Sequence, residues 1–259
     1  MTSPARWADL KVRVASAVVL VALGFVEIWL GGTWFRAAVV VIFAAMIWEL
    51  AGLTSSPDSA GVRLGLAAAA GLCLWFFAQW DWLGWLLVLV PVIGLAVTPR
   101  RDVTFIASYG LALMLAGAGF IELRAAGAGI FLWLVAVVVA SDTMGYFAGR
   151  LIGGPKFWPR ISPKKTWSGT IAGWLGAGVV GVIFAAFGWV PWVFALLSPV
   201  IAVAGQVGDI VESWIKRRAG AKDSSNLIPG HGGVMDRFDA LVGAVLALEV
   251  LAFVMAGPI

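Results

Sequence analysis

The amino-acid sequence predicts an all-α, polytopic membrane protein of about nine transmembrane helices with a cytoplasmic N-terminus, and three observations carry that prediction. Hydrophobic residues make up 61% of the 259 positions and charged residues 12%, a balance outside the range of soluble domains. Basic residues fall almost entirely in alternate connections between the apolar runs, and tryptophans cluster in the other connections.

Apolar runs long enough to cross a hydrocarbon core recur at roughly residues 14–30, 34–53, 62–79, 82–98, 103–121, 129–149, 169–188, 191–214 and 238–256. With the N-terminus inside, the inner segments hold Arg6, Lys11 and Arg13; Arg63; Arg100 and Arg101; Arg150, Lys156, Arg160, Lys164 and Lys165; and Lys216, Arg217, Arg218, Lys222 and Arg237. Only Arg36 and Arg124 of the 18 basic residues then fall outside, whereas eight spans would put a five-charge loop or the basic N-terminus on the wrong face. The outer hairpins hold Trp29 with Trp34, Trp80 with Trp82 and Trp85, and Trp189 with Trp192, where indole prefers to sit.

Basic residues precede the first run as they precede a signal peptide, but no small-x-small cleavage site follows Leu30, so the run is expected to be retained. Cys73 is the single cysteine, which rules out an intrachain disulfide. The net charge of +4 is concentrated on the inner face, where it attracts anionic headgroups or phosphorylated ligands. With no soluble domain to bind it, nucleic acid is not an expected partner.

Residues 1–125 are N-terminal membrane helices with little chemistry; residues 126–259 are the C-terminal helices that carry it, within one integral membrane unit. Glu27 and Glu49 lie near the ends of their spans and read as interfacial or packing acids; Glu249, in the middle of the last span, has no evident role beyond a buried hydrogen bond. Asp142, in VVVASDTMGYFAGR, sits about two turns before Arg150, a depth at which an ionisable group faces the bundle interior or a wet cavity. The following stretch, GGPKFWPRISPKKTWSG, has no apolar period. It interleaves Ser162, Thr166, Ser168 and Gly169 with lysines just before a helix, a pattern suited to phosphate oxygens.

Polar density peaks between Gly205 and Asp239. A helix from about Val200 to Arg218 places Asp209, Glu212, Ser213 and Lys216 at i, i+3, i+4 and i+7, on one face. Pro229 ends any preceding helix, and Gly230, Gly232 and Gly233 flank His231, the only histidine. Such a loop either cradles an anion or makes a sharp return into the next span, and a lone loop histidine is more often a turn residue than a ligand. Asp236 and Asp239 follow at i, i+3 in the first turn of the last apolar run, a pair able to hold a hard cation. Carboxylates alone suit a cation and lysines alone an anion; both together suit a metal-bound polyphosphate, with Mg²⁺ bridging carboxylate and phosphate oxygens and a second cation able to share the load.

The run S-W-I-K-R-x4-K-D-S-S-x-L-I-P-G-H-G-G-V-M-D-R-F-D, from Ser213 to Asp239, resembles the signature of the phosphatidate cytidylyltransferase (CDP-diacylglycerol synthase) family. SDTMGYFAGR from Ser141 and SPKKTWSG from Ser162 are similar to two further family segments, so the resemblance covers about residues 140–240. Family members often carry glycine or another residue where Lys164 stands, which puts more weight on Lys165 and Thr166. The resemblance implies transfer of a cytidylyl group from CTP to phosphatidate, giving CDP-diacylglycerol and pyrophosphate. It also implies a Mg²⁺ requirement with a metal pair, a homodimer, and a cavity facing the cytoplasm from the inner membrane of the cell. By motif position Asp209, Asp236 and Asp239 would bind metal and Lys216 would neutralise a phosphate beside them. Asp142 is expected to close the metal site, and Ser162, Lys165, Thr166, Ser213, Arg217, Lys222, His231, Gly232, Gly233 and Arg237 to contact phosphates. Two alternatives remain open at this stage: a cytidylyltransferase for another lipid phosphate, and an ion-coupled transporter, which would instead place its acids near the midplane. The CDP-alcohol phosphatidyltransferases are a further membrane class with metal-binding acids, but no D-G-x-x-A-R element occurs here.

Overall fold

The structure, a computed structural model, describes residues 22, 24–54, 60–159, 161–230 and 232–256. Arg6, Lys11, Arg13 and most of the first expected span lie outside the described residues, as do Arg160 and His231. Seven of the described helices are long and apolar enough to cross a membrane: α1 (Gly32–Thr54), α2 (Ala60–Phe77), α5 (Val103–Ala126), α6 (Ala128–Leu151), α7 (Trp167–Ala186), α8 (Val193–Arg218) and α9 (Met235–Ala256). The expected span at 82–98 is instead two short helices, α3 (Asp81–Leu87) and α4 (Leu89–Val97). Pro91 accounts for the break: it has no N–H to give to the carbonyl of Leu87, four residues back, and its ring crowds that carbonyl. The helix therefore stops at Leu87 and restarts.

The chain forms two compact units, one of residues 1–121 and 218–238, the other of residues 122–217 and 239–259. In the first, α1 packs on α2, with Val40 and Ala44 against Gly71, and carries a fully buried stripe of Phe43, Met46, Ile47 and Leu50 at i, i+3, i+4 and i+7. Phe43 meets Phe120 of α5 edge to face at 5.4 Å, and Leu74, Leu113 and Met114 fill the space around them. The C-terminal end of α1 is tied by Arg100, which reaches the Ala51 carbonyl, and by the Arg101 amide on the Thr54 carbonyl. Arg218, where the polar segment begins, pairs with Asp102 at 2.7 Å and lies over the ring of Phe105. That guanidinium, hydrogen-bonded to it, holds the part-exposed Asp102 carboxyl below the usual carboxylate range.

In the second unit α6 packs along α7. Trp133 of α6 is fully buried, gives its indole N–H to Ser198 Oγ at 2.9 Å and meets Phe194 edge to face, so α8 is fixed against α6 at this level. Pro199 removes one backbone bond inside α8, and Ser198 Oγ bonds the Phe194 carbonyl at 2.7 Å beside the gap. Between α6 and α7 the sequence predicts an irregular loop; the structure has an antiparallel hairpin there, β1 (Lys156–Trp158) and β2 (Ser162–Thr166), with Lys156 opposite Thr166. Phe157 packs against Trp167 at its base, which gives the hairpin an apolar foot.

The bilayer explains the exposed surface. On α8, Leu196, Val200, Val203, Val207 and Val211 form a continuous exposed stripe, while Ile201, Ala202, Gly205, Glu212 and Lys216 are buried on the other side. Its 26 residues rise about 39 Å at 1.5 Å per residue. A hydrocarbon core is only about 30 Å thick, so the turns that carry Ser213, Lys216 and Arg217 project toward the headgroups. Trp29, Trp34, Trp80, Trp85, Trp189 and Trp192 are exposed, as indoles at a membrane surface would be.

Candidate active site

The polar groups of the second unit gather at the end of the bundle where the hairpin lies. Thr166 closes β2 and caps α7: its hydroxyl accepts from the Gly169 amide at 3.2 Å and lies 3.0 Å from Ser168 Oγ, which donates to the Gly153 carbonyl. Helices α6 and α7 can approach there because Gly145 and Gly169 face each other; a methyl group on Gly145 would sit 3.2 Å from the Gly169 carbonyl. A cavity of about 320 Å³ opens between them. Ser141, Asp142, Tyr146 and Arg150 line it from α6, Lys164 and Lys165 from β2, Thr170 from α7 and Gln206 from α8. Gln206 is held in one orientation, its carbonyl taking the indole N–H of Trp174 at 3.1 Å and its amide reaching Ser141 Oγ at 3.2 Å. Cations, one carboxylate and several hydroxyls therefore share a space of ligand size.

Helices α8 and α9 meet through glycines as well. A methyl group on Gly208 would lie 3.0 Å from Gly243 Cα, so the two backbones touch and bring the next residue, Asp209, beside Asp239. Lys165 reaches across from β2 to pair with Asp209 Oδ2, and Ser213 donates to Asp209 Oδ1 at 3.3 Å. One turn on, Lys216 pairs with the fully buried Glu212. Asp239, whose Oδ1 accepts the Ala240 amide at 2.8 Å, lies within range of the charges of Asp209, Lys216 and Asp142. Asp142 in turn feels Lys165 and Asp209. Asp142, Asp209, Glu212 and Asp239 thus stand among Lys165 and Lys216, with Arg150 and Lys164 on the cavity wall, a mixed-charge setting in which only the Glu212–Lys216 pair is buried. Among the described residues no three Asp, Glu, His or Cys side chains converge into a ready-made cage. Hard-oxygen donors offered singly or in pairs nonetheless fit Mg²⁺, which commonly takes one or two carboxylates and completes its shell with water and substrate phosphates.

The rest of the motif belongs to the first unit. Asp236 Oδ2 accepts three hydrogen bonds, from the Ser224 amide at 2.9 Å, the Ser224 hydroxyl at 2.8 Å and the Gly233 amide at 2.8 Å. The loop before it is pinched by the Ile228 amide on the Gly232 carbonyl at 2.8 Å, with Gly230 and Gly232 at φ +76° and +82°. Gly233 has a steric reason to lack a side chain, since Ser224 and Glu49 occupy the space a Cβ would need. Lys222 and Arg237 are exposed.

Of the residues the sequence singles out, Asp142, Lys165, Thr166, Asp209, Ser213, Lys216 and Asp239 come together within the second unit, with Arg217 exposed near the end of α8. Ser162 opens β2 and pairs with Trp158, off the cavity wall. Gly232, Gly233, Asp236, Lys222 and Arg237 belong to the first unit, where the Gly233 amide is engaged by Asp236. Of the two readings the sequence leaves for Glu49, an interfacial or a packing acid, the structure has the second: it is fully buried and accepts hydrogen bonds from the 224–235 segment, partners that the sequence does not point to. Its position beside Met46 and Leu50 on the buried stripe of α1 is the signal that points to it.

A family model described as "Cytidylyltransferase family" matches residues 11–255. The chain belongs to the cytidylyltransferase family. Members of that family similar to it include proteins called phosphatidate cytidylyltransferase from Brucella abortus (strain 9-941), 34% identical over 96% of each chain, and from Staphylococcus saprophyticus, 39% identical over 52% of this chain and 54% of the relative. A third, from Mycobacterium leprae and of the same name, is 47% identical over 48% of this chain and 41% of its own.

Proposed function

We propose that this protein transfers the cytidylyl group of CTP to phosphatidate, forming CDP-diacylglycerol and pyrophosphate for phospholipid synthesis. The observation that carries the chemistry is the Lys165–Asp209 pair set among Asp142, Asp239 and Lys216 beside a cavity lined by further cations. A non-bridging oxygen of phosphatidate attacks the α-phosphorus of CTP, the bond to the β-phosphate oxygen breaks, and pyrophosphate leaves with the electron pair. The attacking oxygen is already ionised near neutral pH, since the second ionisation of such a phosphate lies near 6. No protein nucleophile or strong base is needed.

The chain's own groups do the positioning. Asp209 and Asp239, with Asp142, are the ligands offered to Mg²⁺ from α6, α8 and α9, and Asp236 is assigned to a metal by its motif position. When bound, the metal supplies neutralisation of the phosphate oxygens. Lys165 and Lys216 offset the charge that moves toward the leaving group, and Lys164 and Arg150 on the cavity wall hold phosphate oxygens. Arg217, Lys222 and Arg237 are exposed cations suited to the polyphosphate or to anionic headgroups. The cytoplasmic orientation of the site rests on the distribution of basic residues, and the homodimer on the family resemblance alone; crosslinking in native membranes tests the latter.

The deciding assay uses purified protein in detergent with labelled CTP, phosphatidate and Mg²⁺. CDP-lipid is expected, and Asp209→Asn is expected to lower its formation by about 10²-fold or more. A fully active Asp209→Asn protein would remove Asp209 from the reaction.

A further inference from the structure

Glu49 takes part in none of the chemistry above, yet no other carboxylate in the first unit is so fully engaged among the contacts described. It lies near the inner end of α1, fully buried. Its Oε1 accepts from Ser225 Oγ at 2.6 Å and the Val234 amide at 2.8 Å, and its Oε2 from the Met235 amide at 2.7 Å and Ser224 Oγ at 3.2 Å. All four donors are neutral, and all four belong to the segment that leads into α9. Val234 and Met235 carry amides of the kind left orphaned at a helix start, so Glu49 caps α9 from another helix. Ser224 then links two carboxylates: its hydroxyl, with one proton to give, lies 3.2 Å from Glu49 Oε2 and 2.8 Å from Asp236 Oδ2, and its amide also donates to Asp236.

We propose that Glu49 is a positioning residue for Asp236, acting through Ser224 and the amides of Val234 and Met235. Three donors on Oδ2 fix the plane of the Asp236 carboxyl group, and each of them sits on a loop whose place is set by Glu49. Without the Glu49 carboxylate, Asp236 keeps its chemistry and loses its aim. A glutamine at 49 has nearly the same shape but turns an NH₂ toward one serine hydroxyl, which can rotate to accept, and one backbone amide, which cannot, so the negative charge and one amide bond are lost without opening a cavity. The proposal rests on the reading of Asp236 as a metal ligand.

The test compares full-length wild type with Glu49→Gln, Glu49→Asp, Ser224→Ala and Asp236→Asn in detergent. Three quantities are measured: Mn²⁺ binding by electron paramagnetic resonance, exchange of the 233–235 amides in metal-free protein, and the Mg²⁺ concentration for half-maximal CDP-lipid formation. Glu49→Gln is expected to weaken Mn²⁺ binding and raise the Mg²⁺ requirement by about 10- to 100-fold, with faster exchange at Val234 and Met235. Glu49→Asp, which keeps the charge, is expected to recover part of both. A role in folding alone would reduce the yield of folded protein and leave its Mn²⁺ affinity at the wild-type value. Wild-type affinity in Glu49→Gln together with weakened binding in Asp236→Asn overturns the proposal. Wild-type affinity in Asp236→Asn instead removes Asp236 from the metal and leaves the placement of the other acids standing. Should Glu49→Gln not fold, Ser224→Ala decides: an unchanged Mn²⁺ affinity there overturns the link.

Discussion

Lys165 is the residue on which the electrostatics of the second unit turn. It follows the exposed Lys164 on β2; both lysines line the cavity, and Lys165 is the one that pairs with Asp209. Both partners are only about a quarter exposed, so each would be a costly charge without the other. Lys165→Met is accordingly expected to cut the initial rate of CDP-lipid formation by about 10²-fold, with Lys165→Arg recovering part of it because the charge survives but the guanidinium fork fits the lysine's place poorly. Near-wild-type rates in the methionine variant would assign Lys165 a structural role. Thr166, next along, has its hydroxyl occupied by the start of α7, so its side chain serves the helix that the site stands on.

At the scale of elements, glycine contacts decide how near the helices come. The Gly208–Gly243 contact leaves no room for a side chain between backbones that cannot yield, so Gly208→Val is expected to destabilise the protein by about 1–3 kcal/mol and to lower product formation as Asp209 and Asp239 part. Gly178→Ala is the control, since its added methyl meets only Pro199 Cγ at an ordinary 3.6 Å. Thermal unfolding in detergent and the product assay check both; equal stability in the two variants would show that the α8–α9 contact is looser than drawn.

Hydropathy made the long helices legible, because lipid imposes one requirement along the whole chain, and it made Asp142, Asp209 and Asp239 legible because a charge stands out in an apolar run; Lys165 was legible instead from lysines interleaved with serine and threonine just before a helix. The hairpin was not, since a two-stranded ribbon of mixed polar residues leaves no period. The break at Pro91 was written in the sequence but masked by the hydropathy of its neighbours. Glu49 was hidden for another reason: its partners Val234 and Met235 are 185 and 186 residues away, and no local pattern reports a contact of that separation.

On the scale of the whole molecule, charge sets direction. If the polar end of the bundle faces the cytoplasm, a cysteine placed at the exposed Lys222 will react with a membrane-impermeant maleimide in inverted vesicles and not in right-side-out ones. Trp192→Cys is expected to do the reverse. Cys73 is the only native cysteine and is buried, so Cys73→Ser supplies a clean background. Labelling of Lys222→Cys from the outer face would reverse the orientation and with it the side from which CTP arrives.

The valine ridge along α8 has a consequence for motion. A rod that is oily down one flank and carries its charged groups at one end of the other has a preferred roll angle, because a sizeable spin would take Val203 and Val207 out of the lipid and swing Asp209 toward the acyl chains. The expected outcome is that this rod keeps its roll angle through turnover, with nucleotide and lipid travelling to the acids.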